Sequence, residues 1–155
     1  MRPTLNCDPD TFTPRFEYSA AFLMLRLFLA LRALLAGLEK FESGGIYSLA
    51  NYAKNMDRMA TGITGASFLP LWATRPFAFS IGYVLLVLGA ALLLGLKTRI
   101  SLFLMGLVYV GLSFGLMAVQ ENEGVAWLAG YVLITAVALV LSRHDRFALW
   151  PDQHK

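Results

Sequence analysis

The sequence predicts an all-α polytopic membrane protein: a four-transmembrane-helix antiparallel bundle with an amphipathic helix in its first outer loop. Composition is the first observation behind this. Of 155 residues, 57% are hydrophobic and 15% charged, and the mean hydropathy is +0.60, far from the balance of a soluble domain. The second is a set of four apolar runs, each close to the length needed to cross the hydrocarbon core, about 20 residues at ~1.5 Å rise. The third is their spacing: the connections after the second and third runs are short, so neighbouring spans pack antiparallel. Helices are expected because each satisfies its own backbone within the bilayer.

Residues 1–17 read as a polar N-terminal tail containing Asp8, Asp10 and Glu17. The apolar run that follows is too long for the core of a cleaved signal, so it is a retained first span. Cys7 in this tail is the single cysteine; it supports neither an internal disulfide nor a metal site and reads as inert. The membrane domain covers residues 18–142, with spans at about 18–41, 76–96, 100–119 and 125–141. Residues 143–155 form a polar C-terminal tail. Between the first two spans, Ile46, Leu49, Ala53, Met56, Ala60 and Ile63 recur at helical spacing, opposite Asn51, Lys54, Asn55, Asp57 and Arg58. This predicts an amphipathic helix over about 46–63, preceded by Gly44-Gly45 and closed by Gly62 and Gly65. It lies in the outer interface or caps the bundle; a surface helix closing the loop and a lid over a ligand site are both open.

Loop charge sets the orientation. With both termini inside, the inner side carries Arg2, Arg15, Lys97, Arg99, Arg143, Arg146 and Lys155, while the last outer loop is acidic, with Glu121 and Glu123. The expected location is therefore a bacterial-type cytoplasmic membrane with both termini cytoplasmic. The net charge is +3 with scattered basic residues, which is no nucleic-acid footprint.

The first span carries the chemistry. Arg32 sits near its middle, where a guanidinium costs roughly 2.5–3.5 kcal/mol on insertion scales. Arg32 and Glu39 are seven residues apart, so they share a face, but about 10 Å along the axis separates them. Arg26 lies on another face and reaches headgroups by snorkelling. Two readings stay open. In one, Arg26 and Lys40 anchor the helix ends and Arg32 pairs with a neighbouring helix. In the other, these charges hold a quinone headgroup, a lipid phosphate or a substrate. Gly111 and Gly115 form a small-xxx-small motif for close helix approach. Gly82 and Gly89 share a face of the second span, and Trp127, Tyr131 and Thr135 form a stripe on the fourth. These read mainly as packing and belt features, while Tyr83, Tyr109 and Tyr131 are candidates to line a cavity.

Some chemistry is excluded. His144 and His154 both lie beyond the spans, so haem held by two intramembrane histidines and a Cys/His metal centre are not expected. Spans at 76–96, 100–119 and 125–141 carry no Asp, Glu, Lys or Arg, which argues against a proton relay across the bilayer. No nucleotide-binding glycine motif or nucleophile–base pair is present.

Leu25-Arg26-Leu, Ala36-Gly37-Leu-Glu39-Lys40-Phe41, Leu69-Pro70-Leu-Trp72 and Gly89-Ala-Ala-Leu-Leu-Leu-Gly95-Leu-Lys-Thr98-Arg99 together resemble the DoxX-like family of small four-helix membrane proteins, over roughly residues 20–142. The resemblance implies a four-helix fold and a link to redox membranes, since the name-giving relatives are associated with a thiosulfate:quinone oxidoreductase. By motif position it carries over Arg26, Gly37, Lys40, Gly95 and Arg99. Many relatives place a glutamate in the second span, where residues 76–96 have no acid, so an activity needing that carboxylate is in doubt. Arg32 lies outside the family pattern.

The expected function is a small accessory or anchoring subunit of a larger, quinone-linked respiratory or electron-transfer complex, with no catalytic activity of its own. The alternatives are a quinone-reactive membrane subunit of the thiosulfate:quinone oxidoreductase type, or a small transporter. Candidate quinone, lipid or interface residues are Arg26, Arg32, Glu39, Lys40, Tyr83 and Arg99. Candidate packing residues are Gly37, Gly82, Gly89, Gly95, Gly111 and Gly115. Quinone is the one expected cofactor, with no metal-held or covalently bound group. The expected partners are membrane lipid and either other complex subunits or further copies of the chain.

Overall fold

The computed structural model describes residues 13–144. The tail residues 1–12 and 145–155, with Cys7, His154 and several of the charges used for orientation, lie outside the described residues. The described chain forms α1 (Thr13–Glu39), a short antiparallel hairpin of β1 (Glu42–Ser43) and β2 (Ile46–Tyr47), then α2 (Leu49–Ala66), α3 (Leu71–Leu94), α4 (Thr98–Ala118) and α5 (Asn122–Leu141), closed by a 3-10 turn at Ser142–His144. α1, α3, α4 and α5 are the four helices long and apolar enough to cross a membrane. They pack in the cyclic order α1–α3–α4–α5, each antiparallel to the next, with the tightest pairings α1–α3 and α4–α5.

Glycines explain the α1–α3 approach. A Cβ on Gly37 would lie 2.8 Å from Leu86 Cγ, and one on Gly89 would lie 3.1 Å from the Ala30 carbonyl, so neither position has room for a side chain. Around this seam Leu29, Ala30 and Ala33 of α1 meet Ala78, Ile81, Leu85 and Leu92 of α3, joined by Leu102, Met105 and Ala138. The opposite faces present Leu35, Val87, Leu107, Leu133 and Val140 to the lipid.

The helix boundaries differ from the sequence reading at the starts of all five helices and at the end of α2. α1 begins at Thr13, so residues 13–17 are helix rather than tail; Pro14 falls in the first turn, where its missing N–H is not needed. α3 begins at Leu71 after Pro70, not at Pro76. Proline marks helix starts, and Pro70 rather than Pro76 does so here. Arg75 therefore lies inside α3, Arg99 inside α4 and Glu123 inside α5, each near a helix end where polar headgroups are within reach. Ile46 and Tyr47 are strand, because Gly44 and Gly45 both take positive φ and turn the chain into a hairpin before the helix starts. Gly62 and Gly65 do not close α2, which continues to Ala66. Gly95 is not a packing glycine: at φ 69° it caps α3, and its N–H reaches the Leu92 carbonyl at 3.2 Å, as left-handed C-caps do.

α2 runs antiparallel over the first half of α3. Ser48 caps it by accepting the Asn51 N–H at 3.1 Å, which satisfies one of its orphan donors. Tyr52, Met56 and Ala60 form its buried stripe. Tyr52 is held from three sides. It stacks on Phe41 at 4.3 Å, meets Tyr83 edge-on at 4.9 Å, and donates to the Phe79 carbonyl at 2.6 Å. Gly82 leaves the space for its ring: a Cβ there would sit 2.6 Å from Tyr52 Cε2. Further along, the Thr64 and Thr74 hydroxyls meet at 2.8 Å. The polar face of α2 is only partly turned to water, because Asn55 donates to the carbonyls of Lys40 and Glu42 at 3.2 and 2.9 Å. α2 is thus tied to the end of α1 and lies across one end of the bundle.

Candidate functional site

The chamber that Arg32 enters is built from four helices. Arg32 on α1 points toward α5, where its Nε donates to the Tyr131 hydroxyl at 3.1 Å and its guanidinium carbon lies 5.5 Å from the centre of the same ring. Tyr131 is in turn held between Phe28 of α1, at 6.3 Å, and Tyr109 of α4, at 5.6 Å, both roughly parallel to it. A hydrogen bond from a charged donor is worth about 1.5–3 kcal/mol and a partly desolvated cation–π contact about 0.5–2 kcal/mol. Together they are comparable with the roughly 2.5–3.5 kcal/mol insertion penalty of a central arginine. Arg32 is therefore accommodated by its own chain.

The chamber has a volume of about 150 Å³ and is lined by Arg32, Ala36 and Glu39 of α1 with Lys40 just beyond its end, Ile81 and Leu85 of α3, Tyr109 and Leu112 of α4, and Leu128 and Tyr131 of α5. Glu39 acts on Arg32 through space from the α2 end of the chamber. Tyr109 is 4% exposed, and its hydroxyl makes no hydrogen bond to a protein group among the described residues. A buried hydroxyl without a partner forgoes a favourable bond, so the chamber offers a donor or acceptor ready for a polar group placed inside it.

A second cavity of about 410 Å³, a vestibule, opens between the chamber and α2. It shares Lys40, Leu112 and Leu128 with the chamber, and α2 contributes Arg58, Met59 and Ile63 as its roof. The charges on the joined space are Arg32, Lys40 and Arg58 against Glu39, an excess of two positive groups. Weakly solvated positive charge beside apolar walls favours an electron-rich or anionic group on an apolar body.

The candidate residues named from the sequence divide accordingly. Arg32, Glu39 and Lys40 come together in the chamber. Arg26 does not snorkel: it is buried at 4% exposure, about 9 Å along α1 from Arg32. Tyr83 belongs to the aromatic cluster around Tyr52 and is not among the residues that line the chamber. Arg99 lies in the first turn of α4, about 15 Å along that helix from Tyr109. Gly111 and Gly115 bring no helix close. A Cβ on Gly115 would meet nothing within 4 Å, and one on Gly111 only the Phe77 ring at 3.7 Å. The sequence had marked Tyr109 and Tyr131 as possible cavity residues without pairing either with Arg32. It placed Arg58 on the side of α2 opposite the apolar stripe, since nothing in the period of that helix tells a roof from an exposed side.

A family model described as DoxX matches residues 21–118, which takes in α1 from its third turn through to the end of α4 and so most of the chamber wall. No curated protein and no solved structure matches the chain. With four membrane-length apolar helices in place and well over half of its 155 residues covered by that one model, the chain belongs to the DoxX family.

Proposed function

We propose that this protein is a small subunit of a quinone-linked electron-transfer system in a bacterial-type cytoplasmic membrane, and that its own part is to hold a quinone headgroup in the Arg32 chamber. The observation that carries this is the convergence of one guanidinium and two tyrosines on an enclosed space within the span region. A quinone has two carbonyl oxygens that accept hydrogen bonds, and the Arg32 guanidinium and the Tyr109 hydroxyl offer donors for them. No electron carrier is built from these side chains, so the reading is one of binding and positioning, with electron transfer supplied by a partner. The charge asymmetry of the loops supports both termini on the cytoplasmic side, which puts α2 and the mouth of the vestibule on the outer side.

The test is equilibrium binding of a benzoquinone to the full chain purified in mild detergent. Saturable binding is expected, weakened about tenfold or more by Arg32→Leu. Equal affinity in the wild type and Arg32→Leu would remove the assignment.

A second reading, the anchoring subunit that occupies no ligand, is favoured by α5. Its buried residues are Thr135 and Ala138, and Gly130 faces open space, so much of this helix is available to a partner subunit. Native mass measurement after mild extraction tests it, since recovery of the chain alone would count against a permanent partner on that face.

A further inference from the structure

The vestibule carries positive charge that no acid on its wall answers. Its volume of about 410 Å³ falls in the range of small-molecule sites, roughly 300–1,000 Å³. Lys40, just beyond α1, and Arg58 of α2 are its charged lining residues, and no Asp or Glu among the described residues lines it. Neither side chain makes an ion pair among the described residues. Asp57, the neighbour of Arg58 in sequence, is turned instead to Arg75 of α3 at 3.2 Å. The other side chains on the wall are apolar, among them Met59 and Ile63 of α2, Phe77 of α3 and Leu116 of α4. The packing of α2 sets the two cations there. Asn55, Met59 and Ile63 recur every fourth residue and Arg58 falls three after Asn55, so they adjoin on one side of the helix. That side is fastened to the end of α1, since the Asn55 amide donates to the Lys40 carbonyl at 3.2 Å. Val119, the C-cap of α4, shares the wall, so the cavity lies at a helix end, where a charged group has access from water.

We propose that the vestibule is a binding site for an organic anion, with a carboxylate held by Lys40 and Arg58 and an apolar body filling the rest of the cavity. The site is separate from the Arg32 chamber, and its assignment does not depend on what the chamber holds. A guanidinium meets a carboxylate with two parallel N–H donors, and an ammonium adds a mobile point charge. Apolar walls lower the local dielectric, so two cations without acid partners attract an anion more strongly there than on an open surface. The same walls set the class of ligand. A small inorganic anion would leave Met59, Ile63 and Phe77 against water, and covering such surface is favourable. A neutral apolar molecule would fill the space but give the cations nothing to bind. Charge and wall together select an amphipathic carboxylate.

The experiment measures equilibrium binding of a benzophenone carboxylate and of uncharged methylbenzophenone to the full chain in a non-ionic detergent, then maps the site of attachment after photolysis. The carboxylate is expected to bind saturably, about tenfold or more tighter than its neutral counterpart, and to attach at Met59, Ile63 or Phe77. Arg58→Gln and Lys40→Gln should each weaken the carboxylate about tenfold, the loss of one charged contact, and leave methylbenzophenone within about twofold. Arg58→Lys keeps the charge and should lose less than Arg58→Gln. Both side chains are without acid partners among the described residues, and the bond from Asn55 to Lys40 is made by the backbone carbonyl, so the fold is preserved. Lys54→Gln removes an exposed cation of α2 that does not line the cavity and should change neither probe. Equal affinity for the two probes, an equal loss in Lys54→Gln, or attachment confined to the α1 and α5 walls of the chamber would each overturn the site. Displacement of the carboxylate by equimolar sulfate would overturn it too, because a site that selects through its apolar wall gives an inorganic anion no advantage.

Discussion

Arg32 and Tyr131 form a pair that each helps to hold in place. Replacing Tyr131 by Phe keeps the ring that stacks on Phe28 and Tyr109 but removes the acceptor for Arg32 Nε. Tyr131→Phe should destabilise the protein by about 1.5–3 kcal/mol, the worth of a bond from a charged donor. Adding Arg32→Leu should largely cancel that loss, because no charged donor is then left without its acceptor. A double-mutant cycle of unfolding in detergent measures the coupling, and additive single effects would mean that the pair contributes nothing. Arg32 was conspicuous in the sequence because charge in the middle of an apolar run is costly wherever it points. Its partner was not, because a tyrosine 99 residues away is legible only once α1 and α5 are known to be neighbours. Arg26 shows the converse: its position near the end of an apolar run suggested a reach to headgroups, but helix packing buried it.

The lid helix α2 is held by its apolar stripe and the Tyr52 cluster more than by its charges. The Asp57–Arg75 ion pair at 3.2 Å is between side chains 51% and 59% exposed, so Asp57→Asn should cost no more than about 1 kcal/mol. Ser48→Ala, which removes the N-cap acceptor, should cost about 0.5–2 kcal/mol. Thermal unfolding of the two variants ranks them, and a larger effect from Asp57→Asn would reverse the account. Burial pushes the Tyr52 phenol above the usual tyrosine range, because its surroundings disfavour the charged phenolate. That contribution is complete below the ordinary tyrosine range and is lost as pH rises through the raised value. Proteolysis of the β1–β2 hairpin should therefore be flat through neutral pH and increase only in strong alkali, and Tyr52→Phe should abolish the alkaline increase. A rise at the same pH in both proteins would assign it elsewhere. The periodicity of α2 was readable because Met56 and Ala60 repeat at helical spacing. Its start was not, because only the positive φ of Gly44 and Gly45 shows that Ile46 and Tyr47 belong to a hairpin.

Taken as one body, the chain is a four-span bundle whose even number of crossings brings both described ends to one side of the membrane. Alkaline phosphatase fused within α2 should be active and a fusion at the C-terminus inactive in a bacterial host, and the reverse pattern would invert the orientation that loop charge favours. The spans were legible because hydrocarbon thickness and backbone satisfaction leave few alternatives for such apolar runs. The chamber was legible only in part, since α1 supplies its charges within one stretch of sequence while Tyr109 and Tyr131 arrive from α4 and α5. Cavities are properties of packing, and no local pattern announced that Gly111 and Gly115 would lack a closely packed helix while Gly106 meets Thr135 of α5. The decisive measurement is photolabelling of the protein in native membranes with an azido-benzoquinone, followed by mapping of the modified peptides. The chamber account predicts label on the α1, α4 and α5 segments around Arg32, Tyr109 and Tyr131, lost in Arg32→Leu and competed by unmodified quinone. Label confined to lipid-facing positions such as Leu35 and Val140, or unaffected by Arg32→Leu, would contradict it.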